Sequence, residues 1–414
     1  LRILLLHQFF LDASEGGGSR FNEMTKVWTE KGHEVVVLSG MMHYTAGAKA
    51  DKYRGKYFVK EQLSEQLMII RCHVSESYNA NFLGRLWGYF SFMFSALFAG
   101  LFKTKGKFDI ILVTSPPLFV GITAMFLSVF KRVPYLFEIR DLWPESAIDT
   151  GVLTNGLIIK LSFWLEKIIY KRALLINVLT PAFRQTLIEK KNINPEKIIF
   201  IPNASDFSLS DNLLQNFDKE KFKIEKGWAD KFIVIYVGAH GVANHLIQLV
   251  ETAELLKGNE NILLLSIGAG MQKNMLVDEV EKRKLTNIVF HPPVSKSEVF
   301  EYIFASDVGA SILKKVDTFK TIYSNKTFDY MACKKPILMA IDGVSRELIE
   351  KANAGIFVEP ENPKDFADKI LYYYNHRNDV IQHGENGYQY AKQNFDRTNL
   401  AIKYLMEMER VVKK

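Results

Sequence analysis

Cysteine is scarce in this sequence: Cys72 and Cys333 are the only two in 414 residues, and neither belongs to a CxxC pair or a Cys/His cluster. That excludes a disulfide framework and a structural zinc site of ordinary ligand spacing, and it fits a reducing compartment. No Asp-x-Asp triplet, short repeat or low-complexity tract is present. Long apolar runs are also wanting. Residues 86–102 (LWGYFSFMFSALFAGLF) carry no charge for 17 residues, which is at the lower limit for crossing a bilayer. The chain opens on a strand-like run rather than a charged segment followed by an apolar one and a small-residue cleavage site, so no signal peptide is expected.

What is present is ample apolar material, 48% of the chain. A chain of this length exceeds what one core serves, so two domains are expected. The boundaries read as 1–204 for the first domain, 205–230 for a polar linker, 231–384 for the second domain and 385–414 for a terminal amphipathic helix. Charge is uneven: residues 1–200 hold 25 Lys and Arg against 17 Asp and Glu, a net +8, which leaves −1 for the remainder of the overall +7. No zinc-finger, RNP-type or basic-helix pattern accompanies the excess, so nucleic acid is not the expected partner. An anionic membrane surface is.

Short apolar runs alternate with longer helix-like segments. In the first half they are Arg2–Leu6 and residues 33–38, 109–113, 134–139 and 174–179. After the polar interval the pattern restarts with Phe232–Val237, Ile262–Ile267 and residues 287–290, 308–313 and 336–340. Runs apolar on every position suit parallel strands covered on both faces. The fold class is therefore α/β, with two doubly wound Rossmann-like domains facing across a cleft and ligands at the carboxyl ends of the strands.

In the first domain the loop after the first strand carries Gly16, Gly17, Gly18 and Arg20. It is not a dinucleotide fingerprint, because Phe21 stands where the third glycine belongs. A tight turn and a ligand contact through Gly17 and Gly18 are both open. Residues 41–66 read as a polar, basic surface loop. The 86–102 run has three readings: a helix buried under the sheet, an interfacial helix exposing Trp87, Phe90 and Phe94 to one leaflet, or a span. A second aromatic run, 118–130, ends in Lys131 and Arg132 and repeats the same combination. Residues 138–145 (EIRDLWPE) pack four charged groups into eight residues at a strand's end. Such density points to function, with Asp141 as base or orienting group beside Arg140 and Glu138, or to a structural pair involving Arg140.

In the second domain, VGAHG ends the first strand with Gly238 and Gly241 flanking His240, either a surface histidine or a donor to a phosphate oxygen. Gly268 closes the next strand, and HPPV ending at Val294 makes a rigid loop after the third. The stretch YSNKTFDYMACKKP, residues 323–336, opens a helix at Ser324 and Asn325, with Lys326 and Asp329 in its first turns. A helix start with free N–H groups and a lysine is an anion site, and Asp329 can accept from a sugar hydroxyl.

The order GGGSR, VGAHG, IGAGMQ, HPPVSKSEVFEYIFASDVG and SNKTFDYMACKKPIL resembles the GT-B glycosyltransferases of family 4 across nearly the whole chain, most strongly over 236–360. The segment FEIRDLWPES is similar to a bacterial branch that builds surface polysaccharides and includes N-acetyl-L-fucosamine transferases. The resemblance implies a retaining hexosyl-transfer enzyme that takes a sugar nucleotide as substrate and uses no cofactor or bound metal. It puts the donor's ribose on Asp329 and leaves Thr321 where the family's first Glu stands, with Asp317 or the Thr321 hydroxyl as substitutes. The family's Arg and Lys pair after the second domain's first strand has no counterpart between Gly238 and His245, which leaves Lys320 and Lys326 as replacements for holding the diphosphate. The terminal helix would cross back to the first domain, against the alternative of a solvated final helix. The expected reaction is sugar transfer from a UDP donor to a polyprenyl-diphosphate-linked saccharide for O-antigen or capsule, on the cytoplasmic face of the membrane. A sugar-nucleotide epimerase and a non-catalytic nucleotide-sugar-binding protein are the alternatives.

Overall fold

The structure, a computed structural model, describes residues 1–11, 20–42, 49, 51–79, 82–149, 151 and 153–413. The chain forms two compact units: residues 1–202 together with 398–414, and residues 203–397.

The first unit is built on eight strands: β1 (Arg2–Leu6), β2 (Glu34–Gly40), β3 (Phe58–Ser64), β4 (Leu67–Cys72), β5 (Ile110–Ser115), β6 (Tyr135–Ile139), β7 (Leu175–Val178) and β8 (Ile198–Phe200). Their order is β3-β4-β2-β1-β5-β6-β7-β8, and only β3 runs antiparallel. Ile3, Leu4, Leu5 and Leu6 are fully buried, as are Ile110 to Val113. This is the consequence of helices on both faces, and it explains why these strands read as unbroken apolar runs.

Strand β3 lies within residues 41–66, which the composition reads as loop. It is an edge strand whose outer positions are charged or polar, and that masks its alternation while blunting the sheet edge. Glu61 on it accepts from Arg71 Nε at 2.9 Å and from Tyr53 OH at 2.6 Å. The 86–102 run lies in a helix, Phe82–Phe102, that is buried on one face only. Phe92, Ala96 and Ala99 face the core while Trp87, Phe94, Phe98 and Phe102 are exposed. Among the described residues no helix is long and apolar enough to cross a membrane.

The expected linker is not an irregular connection. Residues 205–230 carry two helices, Phe207–Asn216 and Lys219–Glu225, started by the side chains of Asp206 and Asp218 on the free N–H groups of each first turn. The expected terminal segment 385–414 is likewise divided. Its first part completes a helix, Arg377–Asn394, of the second unit, and residues 398–414 belong to the first. There the indole of Trp28 donates to Ala401 O at 2.8 Å and packs edge-on against Tyr404.

The second unit holds β9 (Phe232–Val237), β10 (Ile262–Ile267), β11 (Ile288–His291), β12 (Val308–Ile312), β13 (Ile337–Ala340) and β14 (Gly355–Phe357), all parallel, in the order β11-β10-β9-β12-β13-β14. The order reverses between β9 and β12, the switch point where such sheets bind ligands. Here the two strands pair only at Val308–Val234 and Gly309–Ile235 and then part. The gap is filled by Tyr330 from the helix Asn325–Ala332: its hydroxyl accepts from Val237 N at 2.9 Å and donates to Ala310 O at 3.2 Å. Its ring lies on Gly309, where a Cβ would come within 2.4 Å of it.

Tyr330→Phe leaves a buried N–H and a buried C=O without a partner, which costs about 1–3 kcal/mol. In urea unfolding of the full chain, the transition of the second unit is expected to move to lower urea by that amount. An unchanged midpoint would contradict the assigned role.

Candidate donor and acceptor sites

Three loops leave the carboxyl ends of β9, β10 and β11 and are joined through their backbones. His240 N donates to Ala269 O at 2.8 Å, Gln272 N to His240 O at 2.9 Å and Gly268 N to His291 O at 3.1 Å. Three positions require glycine, among them Gly270, with φ of 159° and a Cβ that would fall 2.5 Å from His240 O. Gly268 has φ of 155°, and a Cβ on it would fall 1.9 Å from Gly238 O; Gly238 has φ of 149°, and a Cβ there would reach to 3.2 Å from Lys326 Cε. At Gly241 a Cβ would only come into ordinary contact with Asn244 Nδ2 at 3.7 Å, so packing makes no such demand there. Gly17 and Gly18 lie outside the described residues.

Against this platform stands the start of the helix Asn325–Ala332, held on the switch point by Tyr330. Ser324 at its N-cap is buried and makes no side-chain cap; Thr327 N donates to Ser324 O at 3.1 Å, and the N–H groups of Asn325 and Lys326 are the ones such a helix start leaves without an internal acceptor. Lys326 runs over Gly238 and sets its ammonium 4.5 Å from the centre of the Tyr236 ring. No carboxylate pairs with it among the described residues. Burial lowers its pKa from the usual lysine value to about 8, so near neutral pH it is still mostly charged. An ammonium without a carboxylate partner, a helix N-terminus and two glycine-bearing loops together offer the chemistry that a diphosphate requires. One turn on, Asp329 Oδ1 accepts from Ser205 Oγ at 2.7 Å, and Asn325 Oδ1 accepts from Asn203 Nδ2 at 2.6 Å. Val294 is half-exposed at the end of the proline loop, just before a helix started by the Ser295–Glu298 capping box.

Two donor-side expectations are corrected. The His240 ring is fully buried, 2.9 Å from Ser266 Oγ, and burial with nearby Lys273 lowers its pKa to about 4. A neutral ring turned into the protein holds the loop and does not reach a phosphate. Lys320 is at the surface and pairs with Asp317 at 2.8 Å, while the Thr321 hydroxyl donates to Thr318 O at 2.7 Å. Lys320 and Asp317 are thus engaged with each other, and Lys326 is the lysine left for an anion.

In the first unit, Glu138 is corrected from a catalytic to a structural role. It is fully buried on β6, where its two oxygens accept from Arg20 Nε at 3.1 Å and Nη2 at 3.0 Å, with Asn177 Nδ2 at 2.9 Å. The same guanidinium donates to Pro202 O and Ile201 O. Arg20 and Asn177 were not singled out from the sequence, since only the fold brings them to Glu138. Arg140 and Asp141 follow β6 and remain half-exposed. Burial raises the Asp141 pKa against hydrogen bonds from Ser146 and the Leu142 amide. Beside Arg140 is His7, at the end of β1, whose pKa is pushed down by burial and by Arg140 and Arg20, so its imidazole is neutral. Its sequence signal was only that it follows the first strand. Among the described residues no cluster of three or more His, Cys, Asp or Glu is placed to hold a metal ion.

Lys326 gives the donor cradle a pH signature. Loss of its proton as pH rises through about 8 removes the charge an anion needs. Inorganic diphosphate affinity should therefore fall above that pH by up to about tenfold per pH unit relative to Lys326→Arg, whose guanidinium stays charged. Calorimetric titrations of both chains across this range check it. Parallel profiles would contradict it.

Residues 15–204 match the family model described as glycosyl transferase 4-like domain, and residues 218–390 match the one described as glycosyl transferases group 1. No curated protein matches the sequence. Among solved structures the chain is similar to HepE (Alr3699) from Anabaena in complex with UDP, at 15% identity and a TM-score of 0.71, covering 99% of this chain and 100% of that one. It is similar too to sucrose-phosphate synthase from Thermosynechococcus elongatus, at 14% identity and a TM-score of 0.69, over 99% and 98% of the two chains. A UDP-forming α,α-trehalose-phosphate synthase from Burkholderia vietnamiensis gives 11% identity and a TM-score of 0.73, over 99% and 96%. The structural likenesses establish the fold, the two family models account for both units, and the chain is a glycosyltransferase of the GT-B type.

Proposed function

We propose that the chain is a retaining transferase that moves a sugar from a UDP-linked donor to a polyprenyl-diphosphate-linked saccharide at the inner face of the cytoplasmic membrane. The observation that carries the donor half is the unpaired Lys326 ammonium over the Gly238 turn at the start of the helix Asn325–Ala332. That HepE is solved with UDP and with UDP-glucose supports a uridine nucleotide here. Asp329, one turn below Lys326, is the acceptor offered to the ribose hydroxyls.

In this reading an acceptor hydroxyl oxygen bonds to the donor's anomeric carbon on the face the nucleotide vacates. The bond from that carbon to the phosphate oxygen breaks, and its electron pair leaves on the nucleoside diphosphate. Lys326 and the helix N–H groups meet that charge without reorganising. The acceptor's proton passes to the leaving phosphate oxygen, and Asp141 with Arg140 orients the acceptor. No cofactor enters the step. N-acetyl-L-fucosamine as the sugar and O-antigen or capsule as the product follow from the resemblance of FEIRDLWPES alone.

The acceptor half rests on the surface of the first unit. Trp87, Phe94, Phe98 and Phe102 are exposed on one helix, and Phe126, Val129 and Phe130 on the next helix, Val120–Lys131, which packs beside it. Lys103, Lys105, Lys131 and Arg132 follow these rings in sequence. Aromatic rings with a basic edge suit peripheral attachment to an anionic leaflet.

Purified chain incubated with radiolabelled UDP-sugars and a bacterial lipid extract should place label in the organic phase. Lys326→Ala should lower that rate by roughly 100-fold or more. Isomerisation of the donor without acceptor, or nucleotide binding without any turnover, would overturn the proposal.

A further inference from the structure

The first unit has a cavity of about 620 Å³ lying between the helix Gly156–Arg172 and the segment 190–197, with Glu145 on its wall. Two of its lysines are committed. Lys191 Nζ lies 2.5 Å from both Glu145 Oε1 and Glu166 Oε1, and Lys197 Nζ donates to Tyr170 O and Lys171 O at the end of the helix. Three others are not. Lys167, Lys171 and Lys190 line the same cavity and are exposed, and their ammonium groups have no ion pair or hydrogen bond among the described residues. Three uncompensated ammonium groups around one opening repel one another until an anion enters. On the same wall, Glu145 Oε2 has no hydrogen-bond partner and can accept from a hydroxyl next to that anion.

The rim of this cavity is continuous with an apolar stripe. On the helix Gly156–Arg172, Leu157, Leu161 and Trp164 are exposed at spacings of four and three, and Lys167 and Lys171 extend the same side by three and four more. A phosphate held by the lysines thus has greasy, tryptophan-bearing surface leading away from it. Soluble phosphates have no use for such a stripe. We propose that the cavity takes the phosphate headgroup of an anionic phospholipid, with its acyl chains running along the Leu157–Trp164 stripe. This rests on the membrane-facing role proposed for the first unit and adds to it a defined phosphate site.

The test uses the full chain and its charge-reversed form, with Lys167, Lys171 and Lys190 each changed to Glu, all surface positions. Co-sedimentation is measured with phosphatidylcholine vesicles with and without phosphatidylglycerol, and calorimetry with inorganic diphosphate and with UDP. The unaltered chain is expected to bind the phosphatidylglycerol vesicles more tightly. The reversed chain should lose roughly 100-fold, about fivefold for each lysine, while keeping its UDP affinity, which reports an intact second unit. Trp164→Ser should weaken binding to vesicles but leave inorganic diphosphate binding unchanged. If the unaltered chain ignores all vesicles, the membrane reading fails along with the cavity. If it binds them and the reversed chain binds equally well, only the cavity assignment fails. An inorganic diphosphate site additional to the one at Lys326 that the reversal abolishes, with vesicle binding unaffected, would make this a site for soluble phosphate and overturn the lipid.

Discussion

The donor half of the molecule depends on how a parallel sheet copes with its own switch point. Where β9 and β12 part, each would leave a backbone group unpaired inside the protein, and the Tyr330 hydroxyl answers both, accepting from Val237 and donating to Ala310. Gly309 makes room for the ring, because any side chain there would occupy its place. The consequence is positional. Tyr330 lies four residues after Lys326 on one short helix, so fixing the ring against the sheet also fixes the ammonium over Gly238. A site on a crevice between diverging strands thereby gains rigid support from the same contact that repairs the sheet.

The two units treat buried charge in opposite ways. Arg20 and Glu138 are both almost wholly removed from water, but each is matched by the other, and Asn177 and two carbonyls complete the hydrogen bonds. Such a pair holds backbone together and has nothing left for a substrate. Lys326 has an aromatic face and no counter-ion among the described residues, and burial lowers its pKa. The density of charge in EIRDLWPE therefore contains two kinds of residue. Glu138 lies within β6 and builds the sheet, whereas Arg140 and Asp141 lie past its end and are half-exposed.

Strands buried on both faces were plain in the sequence, because RILLL, FIVIYV and ILLLSI are apolar at nearly every position. Strand β3 was not, since Lys60, Gln62 and Ser64 are exposed and its inner side carries the polar Glu61 as well, and β8 and β14 have too few residues to show a period. The helices between 207 and 225 look polar because much of their surface meets water, and only Asp206 and Asp218 announce them. At the site, strand-end glycines and the S-N-K helix start were legible, as each is a local signal. Partners distant in the chain were not. Glu138 meets Arg20 across 118 positions, His240 turns inward only because Ser266 on β10 receives it, and Lys320 is claimed by Asp317 within its own turn. The lysine-lined cavity is equally invisible, being assembled from a helix and a later loop.

The central claim is that the start of the helix Asn325–Ala332, with Lys326, holds the donor's diphosphate. Hydrogen exchange of the full chain with and without UDP tests it most directly. Protection on adding UDP is expected at the amides of residues 325–327 and in the loop 238–241. Protection elsewhere in the chain, with those amides exchanging at unchanged rates, would contradict it.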